Sequence, residues 1–346
     1  MLKIINNIKK KKIPLDDYIN TCLYKYKSSY YEKKKIFGPR GDFITSPYIS
    51  SIFGEIIAVY ITNYFLEKKL YSFSILEIGA GEGVMARDII NTINTINKFK
   101  NINFSYFILE KSENLKKKQK KNLSKLKVNW IKSLDDLECK NLFIVSNELL
   151  DAFPIKHLKK IKNDWYEKYV YYDNKKNKII SEYAKLKNKN QKIFKLVSKN
   201  NDFIEFSPLV IEFLNQIIKV LKKNKNNCFL TFDYGYQGNN FKNTLQGLKN
   251  HKKVSIFEDP GNVDITYLIN FNLIKKIFNN KSNFNNIIMS QSEFLTRAGI
   301  IERLRQATNI LTSEKDKLKL EMSVDRLIHP KKMGSLFKCL IVTNAN

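Results

Sequence analysis

Apolar positions along this chain alternate between two spacings. Short, largely apolar runs at 75–79, 104–110, 128–131 and 142–147 have the length of buried strands, while Ala86, Ile89, Ile90 and Ile93 recur with the period of a helix that hides one stripe. Pairing 75–79 with a helix over 84–97, and 104–110 with one over 112–126, gives the strand–helix alternation of a parallel, doubly wound α/β sheet. Upstream, helices are expected over 15–35 and 50–68. Downstream, 155–206 reads as a β-rich insertion with a Lys/Asn-rich turn at 173–178. The core resumes with a helix over 209–223 and a strand over 228–233. A second insertion, Gly/Asn-rich, covers 236–262. A helix over 264–279, a strand over 286–290, helices over 292–308 and 314–328 and a strand over 337–343 complete the pattern. The expected division is an N-terminal helical, cofactor-covering region (1–70), a core built from 71–154 and 207–346, a substrate-side insertion (155–206) and a second inserted loop (236–262). At 346 residues and 43% hydrophobic, the chain can bury such a core.

The most informative stretch is SILEIGAGEGVMARDIINTIN, a strand, a glycine turn and a helix. Gly79, Ala80 and Gly81 lack the side chains that would keep a ligand from the backbone. The next apolar run stops at Glu110, where a carboxylate can accept both hydroxyls of a ribose at the carboxyl end of the second strand. Together they point to a nucleoside cofactor. The spacing is GxGxG rather than the GxGxxG that cradles a dinucleotide pyrophosphate. S-adenosylmethionine carries no pyrophosphate, so methyl transfer is favoured over hydride transfer. The cofactor-binding candidates here are Glu77, Gly79, Gly81, Gly83 and Glu110.

Composition narrows the partners. The formal charge of +28 would ordinarily suggest nucleic acid or an anionic membrane, yet only six of the 61 basic residues are arginine, at 40, 87, 297, 303, 305 and 326. The guanidinium forks that read phosphates and guanines are scarce, and the lysine and asparagine excess fits an A+T-rich coding bias on solvated positions. Nucleic acid is therefore disfavoured. Cys22, Cys139, Cys228 and Cys339 are far apart, and His157, His251 and His329 have no metal spacing, so neither a zinc site nor a disulfide framework is expected. No apolar run reaches the roughly 18 residues of a membrane span, and the start lacks a signal-peptide pattern. A cytoplasmic protein is the expectation, or a mitochondrial-matrix one for a eukaryotic source. The sequence leaves the oligomeric state open, a homodimer among the options.

Eight segments then carry a resemblance. GDFITSP at 41–47, EIGAGEG at 77–83, LEKSENLKKKQ at 109–119, SNELLDAFP at 146–154, FDYG at 232–235, DPGNVDITYLINF at 259–271, QSEFLTRAGIIER at 291–303 and MGSLFKCLIV at 333–342 occur in order over nearly the whole chain. In this set the sequence resembles the MidA-like S-adenosylmethionine-dependent methyltransferases, whose mitochondrial member is a complex I assembly factor that methylates an arginine. A bacterial member is expected. The resemblance implies a class I, Rossmann-like fold with a seven-strand doubly wound sheet, an N-terminal helical region and β-rich insertions. It also implies S-adenosyl-L-methionine as cofactor and a protein substrate, the iron–sulfur protein 2 type subunit of complex I. Two departures stand out: Tyr48 where the family has Glu after GDFITSP, and Lys168 where it favours Arg.

By the same resemblance, Asp42, Thr45 and Ser46 line the cofactor pocket, although short polar side chains at 42–46 would equally satisfy a turn's own backbone; Asn147 is a further cofactor-binding candidate. Asn147, Glu148 and Asp151 follow a strand expected to end over the cofactor's methyl group. Their bland reading is a helix N-cap with acids in the first turn. Their functional reading makes Glu148 and Asp151 the catalytic candidates, with Glu148 receiving a substrate guanidinium and aiming one nitrogen at the methyl. Asp233, Tyr234 and Gly235 read mainly as strand-end architecture, and Asp264 as the cap of the 264–279 helix. The alternatives to a protein arginine methyltransferase are a cofactor-binding assembly chaperone without turnover and an RNA methyltransferase.

Overall fold

The computed structural model describes residues 2–32, 45–186, 192–197, 201–249, 252–281 and 283–344. The chain forms two compact units. One comprises Met1–Ile36, Leu150–Asn215 and Tyr236–Lys281, the other Phe37–Leu149, Gln216–Gly235 and Ser282–Asn346.

The larger unit is built on seven strands, β1 (Ser72–Ile78), β2 (Asn103–Leu109), β3 (Asn129–Ile131), β4 (Leu142–Asn147), β5 (Cys228–Tyr236), β6 (Phe284–Ser290) and β7 (Phe337–Asn344). They hydrogen-bond in the order β3-β2-β1-β4-β5-β7-β6. Pairing is parallel from β3 through β5, and β7 runs antiparallel to both its neighbours. Chain order reverses beside β1, so the carboxyl ends of β1, β2 and β4 adjoin at the place where such sheets receive ligands. Six of the seven residues of β1 are buried, which is why its sequence is apolar on both faces.

Helix α1 (Ser51–Leu66) starts where the Ser50 hydroxyl accepts the Ile52 N–H, and its apolar length is largely buried. It packs against α2 (Val84–Lys100), which begins just after Gly83. The contact is close because residue 54 is glycine: a Cβ there would lie 2.7 Å from the Asp88 Cβ. Phe53, Ile57, Ile61, Phe65, Ile89 and Ile93 join one core with Phe143 and Phe232, each fully buried large side chain contributing about 1.5–3 kcal/mol of transfer free energy. Helix α3 (Glu113–Asn122) is capped by Ser112. The expected helix over 292–308 is two, α4 (Gln291–Arg297) and α5 (Ile300–Ile310), because Gly299 turns left-handed at φ 96°. Helix α6 (Glu314–Ile328) has the bounds that the periodicity predicts.

The smaller unit combines antiparallel sheet with helices that include Leu2–Lys10 and Phe271–Asn279. Strands Lys156–Ile161, Asp164–Asp173, Lys178–Lys185 and Phe203–Phe206 pair as a meander with Phe203–Phe206 returning beside Lys156–Ile161, and Ile13–Pro14 joins through Asp164–Asp173. Two helical expectations fail here. The 15–35 helix ends at Lys25, as Leu15–Asn20 passes into a single π-turn, Thr21–Lys25. Ser29 Oγ accepts the Tyr26 N–H and donates to the Thr21 carbonyl, so a side chain takes the bonds that helix backbone would have used. The helix expected from 264 starts at Phe271. Asp264–Thr266 is instead a strand antiparallel to Gln246–Lys249, and the cap is Asn270, whose side chain accepts from Asn272 and Leu273. Seven residues of mixed apolar pattern do not fix a period, and strand pairing decides.

Candidate active site

The glycine turn after β1 is left-handed at three glycines, Gly79 (φ 73°), Gly81 (φ 55°) and Gly83 (φ 86°), a backbone path that side chains rarely follow. At Gly81 an added Cβ would meet nothing within 4 Å, whereas at Gly79 it would press on Leu149 Cδ1 at 2.8 Å. The turn is thus packed on one side and open in front of Gly81. Glu82, within it, accepts from the Tyr48 hydroxyl (3.0 Å) and the Lys118 ammonium (2.6 Å), so Tyr48 ties the short helix Ser46–Ile49 to the turn. Lys168, the other departure from the family, lies 5.8 Å above the Tyr183 ring in the smaller unit.

Glu77, just before the turn, is 2% exposed. Its Oε2 accepts the Tyr106 hydroxyl at 2.6 Å. Burial pushes its carboxyl up to about 7, with Glu110 and Asp88 adding to the rise and the Tyr106 hydrogen bond opposing it. Glu110, one residue past β2, is also raised, first by burial, against hydrogen bonds that favour its charge. Its two oxygens are anchored separately: Oε1 accepts the Ser112 N–H at 2.9 Å and Oε2 the Gln119 amide at 3.1 Å. Gln119 also reaches the Gly81 carbonyl at 2.9 Å. Sequence reasoning passed over Gln119 because a glutamine in a lysine-rich helix carries no signal of burial.

At the end of β4 the backbone breaks sharply. Glu148 has φ 51°, unusual for a residue with a side chain and of order 1–3 kcal/mol in cost. Its N–H donates to the Phe232 carbonyl, and its carboxylate is held on both oxygens: Oε1 by the Ser46 N–H (3.1 Å) and the Asn147 amide (2.9 Å), Oε2 by the Tyr234 hydroxyl (3.2 Å). Asn147 Oδ1 is buried with no hydrogen-bond partner among the described residues, so it does not cap a helix. The chain continues in one three-residue 3-10 turn, Leu150–Ala152, with no helix dipole to serve. The bland reading of these acids loses its helix. Tyr234, read from sequence as architecture, is a direct partner of Glu148. Ser46 is fully buried and contributes its N–H to Glu148 while its hydroxyl contacts Gln291, so it supports the acid.

The sheet therefore brings Glu77, Gly79, Gly81, Gly83, Glu110, Asn147 and Glu148 to one end, with Ser46 reaching Glu148 through its N–H; Thr45, just before it, accepts the Tyr48 N–H at the start of the short helix Ser46–Ile49. Asp151 belongs to the other unit, where its Oδ2 accepts the Thr266 hydroxyl at 2.8 Å. Asp42 and His251 lie outside the described residues. A cavity of about 290 Å³ lined by Ser72, Ser105 and Lys140 sits at the amino ends of the same strands, opposite to the ligand end. No cluster of His, Cys, Asp and Glu among the described residues suits a metal, and no helix among them is long and apolar enough to cross a membrane.

A family model for S-adenosyl-L-methionine-dependent methyltransferases matches residues 56–289. The chain belongs to this MidA-like methyltransferase family. Relatives include a protein named "Protein arginine methyltransferase NDUFAF7 homolog, mitochondrial" from Caenorhabditis elegans, 27% identical over 94% of this chain and 82% of its own length. The Homo sapiens protein arginine methyltransferase NDUFAF7 is 26% identical over 94% of this chain and 78% of its own. A solved structure from Burkholderia thailandensis, with S-adenosyl-homocysteine bound, superposes with a TM-score of 0.84 at 22% identity, covering 99% of this chain and 92% of that one, and supports the class I fold. The cofactor is S-adenosylmethionine. Three features of the site fit it: open space in front of Gly81, an anchored carboxylate at Glu110 and an unsatisfied buried acceptor at Asn147.

Proposed function

We propose that the protein methylates an arginine of a protein substrate, with Glu148 holding the guanidinium. The observation that carries this reading is the Glu148 carboxylate itself, fixed from both oxygens on a left-handed backbone at the carboxyl end of β4. Bound S-adenosylmethionine supplies an electrophilic methyl on its sulfonium. For its binding, the turn at 79–83 lets the backbone come close, Glu110 accepts the ribose hydroxyls, and Asn147 offers its free carbonyl. Glu148 pairs with one edge of a planar guanidinium, which fixes the plane and localises charge away from the attacking nitrogen. A lysine ammonium offers no such edge. Asp151, a buried acid of the other unit, is the second candidate for the same role.

The relatives' names support arginine as the acceptor, and the family resemblance supports the iron–sulfur protein 2 type subunit of complex I. Peptide mass spectra of that subunit from a strain lacking the gene test the acceptor. The expected result is loss of methylation at one arginine together with less assembled complex I. The same methylation in the deletion strain would overturn the acceptor.

A further inference from the structure

We propose that Gln119 is a positioning residue that sets the Glu110 carboxylate for the cofactor's ribose. Gln119 is fully buried on α3, where an unmet amide would cost stability. The Trp130 indole N–H, a donor only, meets its Oε1 at 3.0 Å. That contact decides which way the amide points. Its nitrogen then faces two acceptors, the Gly81 carbonyl at 2.9 Å and Glu110 Oε2 at 3.1 Å, and both its protons are used. One side chain thus joins β3, the glycine turn and the acid after β2. With Ser112 N–H on the other oxygen, the plane of the Glu110 carboxylate is defined by a donor at each end. The neighbouring turn of α3 adds to the clamp: Lys118 bonds the Glu82 carboxylate and Asn122 the Glu82 carbonyl. An apolar residue at 119 would fill the space and leave Oε2 free to rotate. A glutamate would set a third acceptor against two others.

The inference rests on Glu110 being the ribose ligand, and the test separates the two claims. Dissociation constants are measured by calorimetry for S-adenosylhomocysteine and for an analogue lacking both ribose hydroxyls, on the wild type, Gln119→Leu and Trp130→Phe. In the wild type the missing hydroxyls should weaken binding roughly tenfold to a hundredfold, the size expected for hydrogen bonds to a charged group. Gln119→Leu should bind the analogue nearly as well as the wild type does while its preference for the hydroxyls shrinks to about threefold or less. A residue that only supported the turn would weaken both ligands alike and leave the preference intact; that result overturns the proposal. No preference in the wild type would remove Glu110 as the ribose ligand, and the role of Gln119 with it. Trp130→Phe keeps a ring in place and deletes the donor that orients the amide, so a smaller loss of preference is expected. Should Gln119→Leu fail to fold, an unchanged preference in Trp130→Phe refutes the proposal.

Discussion

Replacing Glu77 by Gln should make the ligand-free protein more stable at neutral and alkaline pH. The buried carboxyl titrates at about 7 against an ordinary value of 4.5, so the folded state holds its proton more tightly than the unfolded chain does. The associated stability is fully present below about pH 4.5 and is lost as the pH rises through about 7. Two and a half pH units correspond to about 3 kcal/mol. Glutamine keeps the shape, can still accept from the Tyr106 hydroxyl and has no charge to bury. The stability difference between Glu77→Gln and wild type should therefore be near zero around pH 4.5, grow across the window and level off above pH 7 at about 3 kcal/mol in favour of the variant. Urea denaturation at half-unit steps from pH 4.5 to 8.5 measures it, and taking the difference cancels the titrating groups that do not interact with Glu77. A difference that is flat with pH would refute the buried, raised carboxyl. The variant should also bind the cofactor less well, if Glu77 is a ligand as the sequence suggests.

Three further outcomes are expected from the geometry. Glu148→Gln should keep cofactor affinity by calorimetry and lose turnover by orders of magnitude, with Tyr234→Phe falling about tenfold because a donor to the carboxylate is gone; wild-type turnover in Glu148→Gln would shift the role to Asp151. Gly81→Val should fold, at a cost of about 1–3 kcal/mol for its backbone, and show no S-adenosylhomocysteine binding; unchanged affinity in a folded variant would remove the turn from the cofactor site. Gly54→Ala should lower stability by about 1–3 kcal/mol in thermal or urea unfolding, since its Cβ would meet the Asp88 Cβ at 2.7 Å between two packed helices.

The sheet was legible because buried parallel strands and one-sided helices have distinct periods: β4 and α6 have the bounds that their spacing predicts, and β1 and β2 differ by a few residues. The failures occur where short segments choose their state by contact. Asp264–Thr266 becomes a strand because Gln246–Lys249 offers an edge, and Gly299 breaks a helix that apolar spacing alone would continue. In the site, residues with a chemical signature were readable: glycines in a turn, an acid at a strand end. Their supports were not. Gln119, Trp130, Tyr106 and Tyr234 act through hydrogen bonds over 9 to 86 positions of sequence separation, and nothing local marks a glutamine or tyrosine as a partner. The donors that Ser46 and Tyr234 bring to Glu148 also could not be foreseen from the tetrad NELL.

Protein arginine methylation is tested most directly by incubating the purified protein and labelled S-adenosylmethionine with lysate from a strain lacking the gene, then sequencing the labelled species by tandem mass spectrometry. Label is expected on a guanidinium nitrogen of one protein arginine, and is expected to be absent with Glu148→Gln. Label in RNA, label on a lysine, or no transfer by a protein that binds the cofactor would contradict arginine methylation.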